Sequence, residues 1–163
     1  MPPMRAALIT ISTSKARGEG DDTGGVALAR FAAELGAQIA GRDLIPDMRA
    51  LIEARLTHWA DIEQVQLILT TGGTGFSPTD VTPEATHAVI EREAPGIPEA
   101  MRAASREFTR HWMLSRAVAG IRGTTVIVNF PGSPASIAQA GAAIVAALPH
   151  AIALAGGERP GHT

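Results

Sequence analysis

The sequence predicts an α/β fold of three layers, α/β/α, around a mostly parallel central sheet. Three observations carry that prediction. Short β-rich runs alternate with helix-length stretches of Ala, Leu, Glu and Arg; the runs are largely apolar, as in a sheet covered on both faces; and two of them lead directly into a glycine turn and a proline-started helix. With 163 residues, 45% of them apolar and 18% charged, the chain is expected to form one domain over residues 1–163.

Arg5 to Ser12, RAALITIS, is the first expected strand, and the polar stretch Ser14 to Asp22 reads as a loop. Thr23 to Leu35 then places Val26, Leu28, Phe31, Ala32 and Leu35 near helical spacing, with Asp22 or Thr23 as cap and Gly36 as stop. Ala37 to Ile45 forms a second strand. Asp47 stands just before Leu51, Ile52 and Leu56, the apolar positions of a second helix that Trp59 closes on the core. Val65 to Thr70 is the third strand and runs straight into Gly72-Gly73-Thr74-Gly75. Thr82 then reads as an N-cap, with Pro83 at the first helical position and the helix continuing to about Glu93. Pro95, Gly96 and Pro98 break it, and helical spacing resumes from Glu99 to Ser115 with Met101, Phe108, Trp112 and Met113 as the inward candidates. Thr124 to Phe130 is another buried strand. Pro131-Gly132-Ser133-Pro134 repeats the turn, cap and proline start before the last helices. The weakly polar stretch Ala138 to Gly157 reads as buried helices rather than a membrane span, because Gln139, Pro149, His150 and many alanines weaken it as a span.

Composition excludes several classes of function. A formal net charge of -2 gives no bulk positive field to draw nucleic acid or membrane headgroups. The absence of cysteine excludes disulfides, thiolate metal centres and a thiol nucleophile, and is compatible with a reducing, cytoplasmic location. Met1 to Ile11 is too short for an export signal. His58, His87, His111, His150 and His162 lack the HExxH spacing of a zinc hydrolase, and His150 is expected to pack or cap.

The two glycine turns locate the expected chemistry. Open α/β sheets bind ligands beyond the carboxyl ends of their strands, where helix starts present unpaired N–H groups. Gly72, Gly73 and Gly75 let the backbone approach an anion, and Thr70, Thr71 and Thr74 offer hydroxyls. Neither a Walker lysine nor a full GxGxxG is present, and glycines also serve plain tight turns. Asp47 and Asp80 are expected to face the same edge, and such a pair suits Mg²⁺ bridging nucleotide phosphates; each is equally readable as a cap or turn residue. Glu84 reads as a complement to the helix dipole. Ser12, Thr13 and Ser14 offer three hydroxyls at the same edge, and Ser133, lacking a GxSxG setting, reads as an N-cap able to bind an oxyanion.

TTGGTGFSPTDVTPEAT, Thr70 to Thr86, resembles the signature of the MogA/MoaB-type molybdenum-cofactor biosynthesis proteins, which the gephyrin G domain shares. The resemblance extends through Asp22-Thr23-Gly24, Ile45-Pro46-Asp47, Asn129 to Pro134 and Leu148-Pro149-His150-Ala151, nearly the whole chain. It implies that family's three-layer fold and transfer of AMP from ATP to molybdopterin with release of pyrophosphate. Carried over, Asp47 and Asp80 become the functional acids and metal ligands, with Mg²⁺ as cofactor. Thr71, Gly72 to Gly75 and Thr82 would hold phosphates, and Pro131, Gly132, Ser133 and Ser12 to Ser14 would line the same pocket. The family also implies trimers or hexamers and a metal-insertion partner. Two positions depart from its pattern: Thr79 stands where an arginine is common, and Thr13 where many members carry aspartate. Arg17 or Arg122 is a candidate source of the missing charge. A pterin-binding paralogue without catalysis and a diphosphate hydrolase are the alternatives.

Overall fold

Side-chain alternation along the buried strands builds two cores, one on each face of a six-stranded sheet. The computed structural model describes residues 3–159; Met1, Pro2 and residues 160–163, with His162 among them, lie outside it. The strands are β1 (Arg5–Ile11), β2 (Gln38–Ile45), β3 (Leu67–Thr71), β4 (Arg92–Glu93), β5 (Ala119–Arg122) and β6 (Thr125–Phe130), in the order β2-β1-β3-β6-β5-β4. The first four in that order run parallel, and β5 and β4 are added antiparallel. The helices are α1 (Thr13–Ala16), α2 (Thr23–Glu34), α3 (Arg49–Thr57), α4 (Thr82–Val89), α5 (Gly96–Ser105), α6 (Pro134–Ile144) and α7 (Leu148–Ala155).

Leu8, Leu67, Leu69, Val126, Val128 and Phe130 point toward α2, α5, α6 and α7, while Ile9, Ile68 and Ile127 point toward α3 and α4. This is the predicted three-layer architecture. The α2–α6 contact is close because Gly141 leaves room for Phe31, whose ring packs tilted against Phe130 with centroids 5.1 Å apart. On the other face Trp59 lies over Gly41, and its Nε1 donates to Asp43 at 2.7 Å.

Several local expectations are corrected. Ser12 caps the single turn α1, so the stretch read as a loop begins with helix. Asp22 is indeed the cap of α2, accepting from Gly25 N at 2.9 Å. Asp47 does not cap α3: Met48 occupies that cap position and makes no side-chain cap bond. Thr82 is the first residue of α4, with Val81 before it, and α4 stops at Val89. The stretch after it forms β4, which pairs with β5, a strand the sequence reading did not separate from the preceding segment. The expected helix from Glu99 to Ser115 starts at Gly96 and ends at Ser105, because Phe108 and Met113 find no core and stay 58% and 60% exposed. Trp112 sits half-buried in a 3-10 turn. The stretch Ala138 to Gly157 covers most of α6 and all of α7, bent by 68°, each burying one face and exposing the other; His150 is exposed rather than packed. Among the described residues no single helix is long and apolar enough to cross a membrane.

Candidate functional site

Parallel pairing brings four strand ends to one edge. Ile11 is in register with Ile45, Thr10 with Thr71, and Thr71 with Phe130. The residues that follow, Ser12, Pro46 with Asp47 after it, Gly72 and Pro131, therefore emerge side by side. Strand order reverses between β1 and β3, since β1 leads to β2 on one side and β2 returns to β3 on the other. Such a switch point leaves a crevice beyond the strand ends. A cleft of ≈ 140 Å³ opens there, lined by Thr10, Ile11, Ser12, Lys15, Asp22, Gly24, Thr71, Gly72 and Gly132.

The two glycine turns meet in this cleft. Gly72 N donates to Phe130 O at 3.3 Å, and a Cβ built on Gly132 would stand 4.0 Å from Gly72 Cα. Gly72 and Gly73 have φ of 95° and 68°, the left-handed region that favours glycine. A Cβ on Gly72 would collide with the Ile11 carbonyl, and one on Gly73 with the Thr82 hydroxyl. Thr82 staples the loop to the start of α4, its Oγ1 donating to Gly72 O at 3.0 Å and its N to Gly73 O at 3.1 Å.

The two acids flank this loop. Asp47 Oδ2 accepts from Thr13 N at 3.1 Å and from Thr13 Oγ1 at 2.8 Å, while the Asp47 amide donates to that hydroxyl at 3.0 Å. Its Oδ1 accepts nothing among the described residues and faces Gly73, 3.2 Å from where a Cβ would be. Asp80 lies beside Gly75, and its Oδ2 accepts from Ser77 N at 3.0 Å. Both side chains are partly open to solvent.

Cationic groups separate clearly. Lys15, the only lysine in the sequence, lines the cleft and has no acidic partner among the described residues. Arg17 borders a recess with Thr13, Pro46, Asp47 and Met48. Arg122 lies far from the cleft: it pairs with Thr125 at the opposite end of β6 and forks onto Asp61 at 2.7 Å. Arg116 reaches the loop from 41 residues away, its Nε donating to Gly75 O at 2.7 Å and its Nη1 to Glu84 Oε2 at 2.7 Å. That fork holds the Glu84 carboxyl below its ordinary range, so Glu84 does more than complement a helix dipole.

Other predicted residues are near the cleft but already engaged. Thr71 Oγ1 donates to Pro131 O at 2.6 Å. Thr70 Oγ1 accepts from Asn129 Nδ2 at 3.0 Å, and Thr74 is buried with its carbonyl taken by Arg116 N. Ser133 caps α6, accepting from Ser136 N at 3.2 Å and bonding Ser136 Oγ at 2.7 Å. Ser14 is exposed, 3.3 Å from Ser12 Oγ, and Thr79 is exposed against Ser77. No group of three or more His, Asp or Glu with metal-ligand geometry occurs among the described residues. Sequence reading overlooked Lys15, which its uniqueness beside the serine cluster could have flagged. It also overlooked Arg116, which no local spacing announces.

A family model described as a probable molybdopterin binding domain matches residues 7–150. The molybdopterin adenylyltransferase of Escherichia coli K12 is 42% identical over 142 residues, which are 85% of this chain and 72% of that protein. Molybdenum cofactor synthesis protein cinnamon of Drosophila melanogaster is 39% identical over 96% of this chain, and the chain spans only about a quarter (26%) of its length. The crystal structure of the molybdopterin biosynthesis enzyme MoaB from Thermus thermophilus superposes with a TM-score of 0.90 at 42% identity, covering 95% of this chain and 98% of that one.

Proposed function

The chain belongs to the family of probable molybdopterin binding domains, and from that premise we propose that it transfers AMP from Mg-ATP to molybdopterin in molybdenum cofactor biosynthesis. One observation carries the reading. Two glycine turns stand back to back at the sheet's switch point, with Asp47 and Asp80 on their flanks and Lys15, free of any acidic partner among the described residues, on the same cleft. Main-chain N–H groups and one cation on a small cleft form a receptor for phosphate oxygens.

In the proposed reaction a terminal phosphate oxygen of the pterin attacks the α-phosphorus of ATP. One O–P bond forms, the bond to the β-phosphate oxygen breaks, and pyrophosphate leaves with the electron pair. A phosphate nucleophile is already ionised near neutral pH, so no side chain need take its proton. The chain's work is positioning and charge compensation. Gly72, Gly73 and Gly132 bring main chain to the phosphates, Lys15 offsets their charge, and Asp47 and Asp80 are the residues proposed to hold Mg²⁺. The donor set fits that ion: two carboxylates, one with Oδ1 left free by Thr13, without a full protein cage, suit a cation that keeps waters and phosphate ligands. When bound, Mg²⁺ supplies compensation for the charge on the departing pyrophosphate.

Incubating the purified chain with molybdopterin, ATP and Mg²⁺ should yield adenylylated pterin and pyrophosphate. Asp47→Asn and Asp80→Asn should each lower kcat by about 10²–10³-fold, the scale of losing one electrostatic stabiliser. Tight pterin binding without turnover would make the chain a carrier instead, and diphosphate hydrolysis without pterin would make it a hydrolase. Because the chain has one lysine, an amine-directed reagent followed by peptide mapping isolates Lys15; ATP should protect it, and equal labelling with and without ATP would remove it from the site. We further propose one domain over residues 1–163, a cytoplasmic location, a metal-insertion protein as partner, and a trimer or a dimer of trimers as the assembly. Sedimentation of a monomer alone would reject that assembly.

A further inference from the structure

Arg116 is tied to the Asp80 loop at both of its ends. Its main-chain N–H donates to Thr74 O at 2.8 Å, its Nε to Gly75 O at 2.7 Å and its Nη2 to Asp80 O at 2.9 Å. The same guanidinium forks onto Glu84 in the first turn of α4, Nη1 to Oε2 at 2.7 Å and Nη2 to Oε1 at 3.3 Å. One planar cation thus joins the start of the loop, its end and the helix that follows. Three carbonyls that a tight loop would otherwise turn toward water converge on one residue.

Beyond the two Thr82 bonds to Gly72 O and Gly73 O, little else among the described residues holds the loop. Phe76 is 70% exposed and Ser77 to Thr79 lie on the surface, so apolar packing contributes little there. The loop's own bonds run from Ser77 N to Asp80 Oδ2 and from Asp80 N to Ser77 O, which shape the turn without attaching it to the body of the protein. Among the described residues the Thr79 hydroxyl and amide bond Ser77 alone. The guanidinium that reaches Asp80 therefore arrives from residue 116, at the approach to β5, and not from residue 79.

We propose that Arg116 is a positioning residue for adenylyl transfer: by gripping the carbonyls of Gly75 and Asp80 and anchoring on Glu84, it fixes the Asp80 carboxylate beside the phosphate-binding glycines. The proposal rests on the functional reading above. Four of the five N–H groups of its side chain are spent on protein, so its part is to hold the loop rather than to bind phosphate. A lysine cannot reproduce the grip, because an ammonium lacks the planar fork that spans two carbonyls and a carboxylate at once.

The test compares wild type with Arg116→Lys, Arg116→Met and Glu84→Gln for kcat, KM for ATP and the Mg²⁺ concentration giving half-maximal rate. Hydrogen exchange of the Ser77 amide is followed in the same proteins. Both Arg116 variants should lose about tenfold in kcat, as for loss of a group that orients a ligand-bearing side chain. They should need several-fold more Mg²⁺, leave KM for ATP nearly unchanged, and exchange the Ser77 amide faster. Glu84→Gln, which keeps an acceptor but loses the charge, should fall between. A folded Arg116 variant with wild-type kcat, Mg²⁺ dependence and Ser77 exchange overturns the proposal while leaving the functional reading intact. Wild type that makes no adenylylated pterin overturns that reading first, and the proposal with it. If Arg116→Met fails to fold, Arg116→Lys, which keeps the charge and the aliphatic stem, decides.

Discussion

A threonine hydroxyl is at once donor and acceptor, and Thr13 spends both sides on Asp47, giving a hydrogen to its Oδ2 and taking one from its amide. Thr13 thereby orients the acid without placing a further charge beside it. Thr13→Val keeps the shape and removes both bonds, and should lower kcat about tenfold, with Thr13→Ser recovering most of the loss. Steady-state rates on the three proteins check this, and a Thr13→Val enzyme at wild-type rate would show that Asp47 needs no such brace. Gly73 makes the complementary point through the residue's emptiness. Gly73→Ala combines a left-handed φ of 68° with a clash against the Thr82 hydroxyl, and should cost about 1–3 kcal/mol, read as a lower midpoint in urea.

Asn129 shows how elements are joined beneath the site. Fully buried on β6, it accepts from Val118 N ahead of β5 at 3.1 Å and donates Nδ2 to Thr70 on β3 and Thr86 on α4, both at 3.0 Å. Asn129→Ala would strand the Val118 amide and take the donor from the Thr70 and Thr86 hydroxyl oxygens, and should destabilise by roughly 2–4 kcal/mol in chemical denaturation. Elements whose signals are local were legible in the sequence. The apolar runs of β1, β3 and β6, the Asp22 cap and the proline start of α6 each depend on neighbours a few residues away. So was the meeting of the two glycine turns, which follows once the strands are parallel. Elements made by distant partners were not legible. β4 and β5 draw their order from pairing with each other and with β6, and their short sequences carry too little alternation to announce it. Helical spacing through Phe108 and Trp112 misled because spacing fixes which residues share a face, not whether a core awaits them. Asp47 takes Thr13 across 34 residues, and Arg116 takes Gly75 across 41, distances at which no motif speaks.

At the scale of the whole molecule, two arginine forks, Arg116 on Glu84 and Arg122 on Asp61, stand near opposite edges of the sheet. Hydrogen bonds from the guanidinium lower both carboxyl pKa values, from 4.5 for Glu84 and 3.8 for Asp61. A group whose pKa is lower when folded contributes stability above its unfolded pKa and loses that contribution as pH falls through the folded one. Thermal stability should therefore change little from these pairs between pH 7 and 5 and decline below roughly pH 4, by a small amount since both acids are solvent-accessible. Melting curves of wild type against Glu84→Gln across that range check the sign: the gap between them should close in acid. The cleft joins separate elements, its walls coming from the ends of β1, β3 and β6 and from the start of α2. A guest lodged there acts as a rivet through separate plates: it cannot stay while any one of them slips by a residue. Occupancy and global melting are then linked, and a nucleotide or pyrophosphate that fits should raise the melting temperature in step with the logarithm of its concentration.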